Sequence, residues 1–290
     1  MASLLPIDFP TADRANASVR AGYLAQLLLG AVVLVLIIVV LAAALPDVLS
    51  TVDPYDIDPA NAFSPPSIQH WFGTDQNGRD TYSRVAHGAR LSLFVGVLAI
   101  SIALALGGAL GVAAALGGRW IDLAISRLID TLFAFPGVVL ALVFIAILGI
   151  SAPTVAIAVG IGSAAGYARI IRTQTLLVIG GDYIRALYGL GHSPLRVLRR
   201  NVVPNICRPL LPLFTLGVGQ TVVWATGLSF IGLGVQPPNA EWGALLSDSR
   251  NYISNAWWLT VFPGATIAIT ALALTIIGKH MQSRLDGRRA

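Results

Sequence analysis

Five stretches of this chain run without a single Asp, Glu, Lys or Arg: Ala21–Pro46, Leu91–Gly118, Thr131–Ala168, Pro209–Ala240 and Asn251–Gly278. They are 26, 28, 38, 32 and 28 residues long. A helix crosses the hydrocarbon of a bilayer in about 20 apolar residues. The 38-residue stretch is too long for one crossing, and Gly149, Ser151 and Pro153 near its middle predict a turn. Asp130 and Arg169 then mark the water boundaries of two helices, which brings the total to six spans. Composition agrees: 56% of the 290 residues are hydrophobic and 11% charged, against about 25% charged in a soluble domain. The fold class is all-α polytopic membrane protein with six transmembrane helices. A disordered chain, a disulfide-stapled secreted domain and a soluble enzyme are excluded.

The single cysteine, Cys207, allows no intrachain disulfide and says nothing about compartment. A net charge of +5 does not point to nucleic acid, because the few charges flank apolar runs. Their placement instead sets an orientation. With the N-terminus inside, 15 of the 19 basic residues fall on the cytoplasmic side, and only Arg79, Arg84, Arg90 and Arg250 fall outside. An N-in, C-in protein of the cytoplasmic membrane follows. Residues 1–20 are read as a cytoplasmic tail, 21–46 as the first span and 47–90 as an external loop. Residues 91–278 carry the other five spans, and 279–290 form a cytoplasmic tail. The first apolar stretch is too long for a cleaved signal, so it is read as retained.

Three connections are long enough to do more than turn. The external one, Asp47–Arg90, begins Pro-rich and acidic. Its Tyr82, Val85, Ala86 and Ala89 fall at helical spacing, which predicts a short interfacial helix with Trp71 and Tyr82 as belt residues. A structural cap over the spans is its plainest role. The internal one, Thr173–Ile206, is basic and broken by Gly189, Gly191 and Pro194. Loops of that length in a compact domain are usually functional. The second external one, Gly232–Ala256, carries Pro237-Pro238 and Trp242, which suit a rigid turn and an interfacial belt.

The internal loop reads Asp182-Tyr183-Ile184-Arg185-Ala186-Leu187-Tyr188-Gly189-Leu190-Gly191, then Pro204-Asn205. It resembles the loop with which binding-protein-dependent ABC importer permeases contact their ATPase. Gly191 and Pro204 stand thirteen positions apart, the family's spacing. Arg185-Ala186-Leu187 takes the family's Glu-Ala-Ala slot and departs from it at two residues; Asn201 and Val203 also replace the usual residues. Further matches run through the chain: Gly73-Thr74-Asp75, Gly78-Arg79-Asp80, Gly88-Ala89-Arg90-Leu91-Ser92-Leu93, Ala134-Phe135-Pro136, Phe230 to Pro238 and Phe262-Pro263-Gly264. In order and spacing they are similar to the C-type permease of the dipeptide/oligopeptide (peptide/nickel) group. Lys279 departs from that group's usual acidic residue.

The resemblance implies a type I ABC importer permease fold and a non-catalytic subunit that imports di- or oligopeptides. It also implies a heterodimer with a B-type permease, two ATPase subunits or domains and an external substrate-binding protein. This chain would then hold no cofactor, with ATP and Mg on the ATPases. Independently, the one lysine, Lys279, is followed by His280, so the chain cannot supply a P-loop. By the resemblance, a helix around Tyr183–Gly189 would lie along the membrane and seat in an ATPase groove through Tyr183, Ile184, Leu187 and Tyr188. Gly189 and Gly191 would let the chain turn out of it. Arg196, Arg199 and Arg200 would face acidic ATPase patches or lipid phosphates.

Polar residues inside spans are costly and often functional. Ser163 and Tyr167 share a face of the fourth span, Gln220 and Trp224 share a face of the fifth, and Ser229 follows. These are the candidates for the translocation path, with interhelical hydrogen bonding as the alternative. Gly107, Gly108 and Gly111, and Gly162 with Gly166, suit close helix packing. Arg127 and Asp130 are spaced to pair. The four histidines are scattered, which argues against a metal site. Two other functions keep the same spans: import of nickel or another chelate, and a secondary transporter or channel that uses no ATP. A membrane enzyme lacks a convergent nucleophile, base or metal cluster.

Overall fold

The computed structural model describes residues 12–287, with side chains from Gln26 to Leu285. Its helices in chain order are α1 (Ala12–Ala44), α2 (Pro46–Leu49), α3 (Thr81–Leu116), α4 (Gly118–Ala134), α5 (Gly137–Leu148), α6 (Ala152–Ile179), α7 (Asp182–Gly189), α8 (Pro194–Val197), α9 (Val203–Cys207), α10 (Leu210–Phe230), α11 (Trp242–Ser249) and α12 (Trp258–Asp286). A π turn over Leu198–Val202 joins α8 to α9. Among the described residues there is no strand, only an isolated bridge between Thr74 and Asp80.

Five helical segments are long and apolar enough to cross a membrane, and a sixth crossing is a bent pair. The first helix begins at Ala12, so residues 12–20, read as tail, are helical; residues 1–11 lie outside the described part. Nothing in Ala12–Arg20 breaks a helix, so the helix extends backward beyond the apolar run. Pro46 ends it, since proline lacks the N–H a continuing helix needs.

The expected interfacial helix is instead the opening of a span. Asp80 caps α3 by accepting the Ser83 N–H at 2.7 Å. The helix then runs unbroken for 36 residues, about 54 Å. That is well beyond the ~30 Å hydrocarbon. Val85, Ala86 and Ala89 are buried, beside Ala42 of α1 and Trp242 of α11. An amphipathic segment under a protein cap has the same spacing as one lying on lipid, so the sequence pattern does not separate them. Trp71 is exposed and rests against Tyr82 with ring centroids 4.7 Å apart.

α3 and α6 make the most extensive pairing of the bundle and run parallel. Three glycines allow their approach. A Cβ at Gly107 would meet the Ala164 carbonyl at 2.8 Å, one at Gly111 the Ala168 carbonyl at 2.6 Å, and one at Gly160 the Ala99 carbonyl at 2.8 Å. Gly108, Gly162 and Gly166 have no such neighbour, so only part of the expected small-residue set is used. We expect Gly111→Leu to force the two helices apart and cost at least about 1–3 kcal/mol, measured as lost resistance to unfolding in detergent.

Parallel neighbours need a return crossing between them, and α4 with α5 supplies it, bent by 90° at Phe135-Pro136. The third span is therefore broken. Pro136 disfavours helix at the residue before it, and Phe135 is extended (φ −92°, ψ 132°). The 12 residues of α5 reach about 18 Å, too little to cross alone. α4 is tied to α6 by a bidentate pair of Asp122 with Arg172 and by Arg169 donating to Asp130 at 3.0 Å. Asp130 thus pairs across helices rather than with Arg127. The turn at Gly149 (φ 81°) then leads to Ser151, which caps α6 by accepting the Thr154 N–H.

These pairings sort the connections to two ends. At one lie the C-terminus of α1, the 50–80 segment, the start of α3, α11 and the start of α12. At the other lie the start of α4, α7 to α9 and the end of α12. The first end is a cap. Trp258 Nε1 donates to the Thr74 carbonyl at 3.2 Å, and Phe72 stacks on Phe262 at 4.1 Å. Trp242 Nε1 donates to the Val85 carbonyl at 2.9 Å. Beneath it Asp75 binds two arginines, Arg79 Nε at 2.7 Å and Arg84 Nη1 at 3.0 Å, all three buried. Glu241 caps α11 by accepting the Ala244 N–H at 2.9 Å. Burial pushes the Glu241 carboxyl up, against hydrogen bonds from the Gly243 and Ala244 backbone, Ser229 and Ser92. Burial also raises Asp248, opposed by Arg84 and Arg79.

Candidate functional site

α6 ends at Gly180, and the chain turns through Gly181 into α7. α7 opens with Asp182, an acid where the helix dipole favours one. It closes in a Schellman turn: His192 N–H donates to the Leu187 carbonyl at 3.1 Å and Gly191 N–H to the Tyr188 carbonyl at 3.0 Å. Gly191 holds the left-handed position, φ 79°. Gly189 is helical and open to solvent, so the exit turn depends on Gly191 alone. Gly191→Ala should cost about 1–2 kcal/mol, measurable as faster proteolysis of this loop.

The inner face of α7 is fixed by Ile184, 1% exposed, which packs with Ile171, Val197, Val202 and Ile206; Leu187 leans on the same cluster. These two residues, expected on the seated surface, hold the helix to its own subunit instead. Tyr183 is anchored at its tip, where Asn205 Nδ2 donates to its hydroxyl at 3.1 Å. The outward face carries Tyr183, Arg185, Ala186, Tyr188, Gly189 and Leu190. Arg185 lies 3.5 Å from Asp182, both well exposed, a pair worth little in water. Tyr188 and Leu190 are 45% and 76% exposed. Ala186 and Gly189, three apart, make a small-residue patch between them, so another surface can come close to the backbone. Pro204 sits in the first turn of α9, with Asn205 beside it donating also to the Asn201 carbonyl at 2.7 Å.

The expected path residues separate. Ser163 and Trp224 line one cavity of about 50 Å³ beside the break before α5, with Gly137, Ala141 and Leu228. Gln220 and Trp224 share an exposed stripe of α10 with Val223 and Gly227. Tyr167 points into the core, packed between the cap-end cluster and that under α7. Ser229 is 2% exposed and packs against Gly243 at the start of α11, so it belongs to the cap. Neither lines the cavity. Thr221 donates to the Gly96 carbonyl at 2.8 Å, the interhelical use of a polar side chain.

Residues 107–290 match the family of binding-protein-dependent transport system inner membrane components. The chain belongs to this family. It is a permease subunit of an ABC importer and a multi-pass protein of the inner membrane. The permease is 38% identical over 247 residues to the dipeptide transport system permease protein DppC of Alkalihalophilus pseudofirmus, covering 85% of this chain and 81% of that one. It is 39% identical over 237 residues to the glutathione transport system permease protein GsiD of Escherichia coli, covering 80% and 78%. Among solved structures it resembles an inward-facing MetNI methionine ABC transporter, with a TM-score of 0.57 at 15% identity over 69% of this chain and 95% of that one. An amino acid ABC transporter gives 0.56 at 18% identity, over 69% and 94%. The permease fold is therefore type I. The family match begins at Gly107, so α1, the 50–80 segment of the cap and the first 26 residues of α3 lie outside it, while α11 and α12 lie within it.

Proposed function

We propose that this permease imports di- or oligopeptides as one half of a translocation path, paired with a B-type permease. The observation that carries the cargo is the likeness to relatives named for dipeptide and glutathione transport, over most of both chains. Two ATPase subunits or domains bind ATP and Mg and do the chemistry, an external binding protein delivers the peptide, and this chain is not a catalyst. The α7 end is cytoplasmic, because the basic residues collect there. It follows that both termini are inside and the cap faces out.

The coupling loop, residues 173–206, receives the ATPase motion. α7 presents Tyr183, Ala186, Tyr188 and Leu190 to a groove on the ATPase, while Ile184 passes the displacement to Ile171 of α6. α6 packs along α3, so a push at α7 reaches the centre of the bundle as a rigid-body movement. Ser163, Gln220 and Trp224 face the path.

The test is uptake by the assembled importer, with its binding protein, in vesicles loaded with ATP. Labelled dipeptide should accumulate, unlabelled peptides should compete, and omitting ATP should abolish uptake. Accumulation of chelated nickel without peptide competition would replace the cargo. Peptide uptake that persists without ATP would overturn the coupling.

A further inference from the structure

The helical segment from Pro194 to Cys207 carries four exposed arginines: Arg196, Arg199, Arg200 and Arg208 just past its end. None is in an ion pair among the described residues; Arg208 has only a 3.5 Å contact to Asn205 Oδ1. The one acid between residues 173 and 210 is Asp182, which lies beside Arg185. The arrangement of this charge is set by the π turn at Leu198–Val202. The buried positions are Val197, Val202 and Ile206, five and then four apart. The extra residue in the turn keeps all three on one side. Arg196, Arg200, Pro204 and Arg208, four apart, then follow one another down the opposite side.

The direction of that stripe is fixed by packing. The buried side touches Ile184 of α7 and Ile171 of α6, so the arginines point away from the surface assigned to the ATPase. Their depth is fixed by length. The 21 residues of α10 span about 31 Å, the thickness of the hydrocarbon. Arg208 therefore stands at its edge and the others in the headgroup layer above. Leu195, Val203 and Leu211, 63%, 42% and 61% exposed, are interspersed with the arginines. Cationic heads with an apolar collar suit a lipid interface, where long side chains reach headgroups from a helix end.

We propose that Arg196, Arg200 and Arg208 form a binding surface for the phosphate groups of anionic phospholipid at the cytoplasmic end of α10. Arg199 flanks it. Bound lipid anchors the segment against which α7 packs, so that force on α7 moves α6 rather than dragging α8 and α9 through the interface.

Cys207, the chain's lone cysteine and exposed, lies beside this stripe and serves as a reporter. A small fluorophore on it is followed in the complete importer, in vesicles where bromine is carried either by phosphatidylglycerol or by phosphatidylcholine. Brominated phosphatidylglycerol should quench several-fold more strongly. The preference should drop about five-fold with each of Arg200→Gln and Arg208→Gln, vanish in the triple variant with Arg196→Gln, and weaken in high salt. The side chains are exposed and unpaired, so the variants should unfold at the wild-type temperature. Equal quenching by both lipids, or a preference unchanged in the triple variant, overturns the proposal. Quenching by neither lipid in the importer, with quenching restored when the ATPases are removed, assigns the stripe to protein contact and overturns it equally. None of these readouts depends on cargo or on uptake.

Discussion

Replacing Asp75 with alanine should cost about 3–5 kcal/mol of stability, the usual penalty for leaving a buried charge without its partner. The carboxylate holds two buried guanidinium groups and also accepts the backbone N–H of Asn77 at 2.8 Å and of Arg79 at 3.0 Å. Among the described residues no other carboxylate makes an ion pair with either arginine. Arg84 is 1% exposed and already has Nε and Nη2 without a protein partner. Arg84 borders a cavity of about 20 Å³ that Asp248 also lines, room for about one water. Removing Asp75 therefore strands a charge the cap cannot solvate. Adding Arg84→Met to Asp75→Ala should recover part of the loss, because one stranded charge is gone. Unfolding in detergent, followed by tryptophan fluorescence of Trp242 and Trp258, reads both. A loss below about 1 kcal/mol, with no recovery in the double variant, would mean that water reaches the cluster freely.

Ala186→Glu should lower ATP-driven uptake by at least about ten-fold, the equivalent of 1.4 kcal/mol of lost coupling, without changing insertion or unfolding temperature. Ala186 is exposed on the outward face of α7 and carries no contact that holds the fold. A carboxylate there stands between Tyr183 and Leu190 on a surface proposed to be buried against the ATPase, where an unpaired charge is expensive. Ile184→Ala makes the contrast. That residue is fully packed, and its truncation should cost about 2–5 kcal/mol locally. Both variants should lose transport, but only the second should also lose stability. Uptake by Ala186→Glu at the wild-type rate would remove α7 from the coupling path.

The number of crossings was legible because charge is excluded from the hydrocarbon, which leaves its mark on composition whatever the packing. Gly149, Ser151 and Pro153 turned the chain as expected for the same kind of reason: a left-handed position, a cap and a first-turn proline are local. What spacing could not tell was which partner an apolar face meets. Val85, Ala86 and Ala89 look alike under lipid and under a cap, and Ile184 and Leu187 look alike whether they face an ATPase or their own subunit. Polarity in a span was ambiguous in the same way. Ser163 and Trp224 meet at one cavity, while Tyr167 and Ser229 serve packing and the cap. The bend at Phe135-Pro136 was present as a dipeptide, but its 90° size depends on α6, whose Arg169 and Arg172 hold α4 across it. Asp75 and Arg79 stood out as signature residues, but their cluster with Arg84 was missed, because it forms only when the chain folds them under Trp242 and Trp258.

The cap joins residues made at opposite ends of synthesis. Thr74 meets Trp258 across a separation of 184 residues. At typical elongation rates that is a delay of roughly 10–40 s. Throughout it Thr74 lacks Trp258 and Phe72 lacks Phe262, although their nearer neighbours Asn61, Ser64 and Tyr82 are already made. Closure of the cap therefore waits for α12. A chain cut short before α12 would lack Trp258 and Phe262 and so leave Thr74 and Phe72 without the contacts that close the cap.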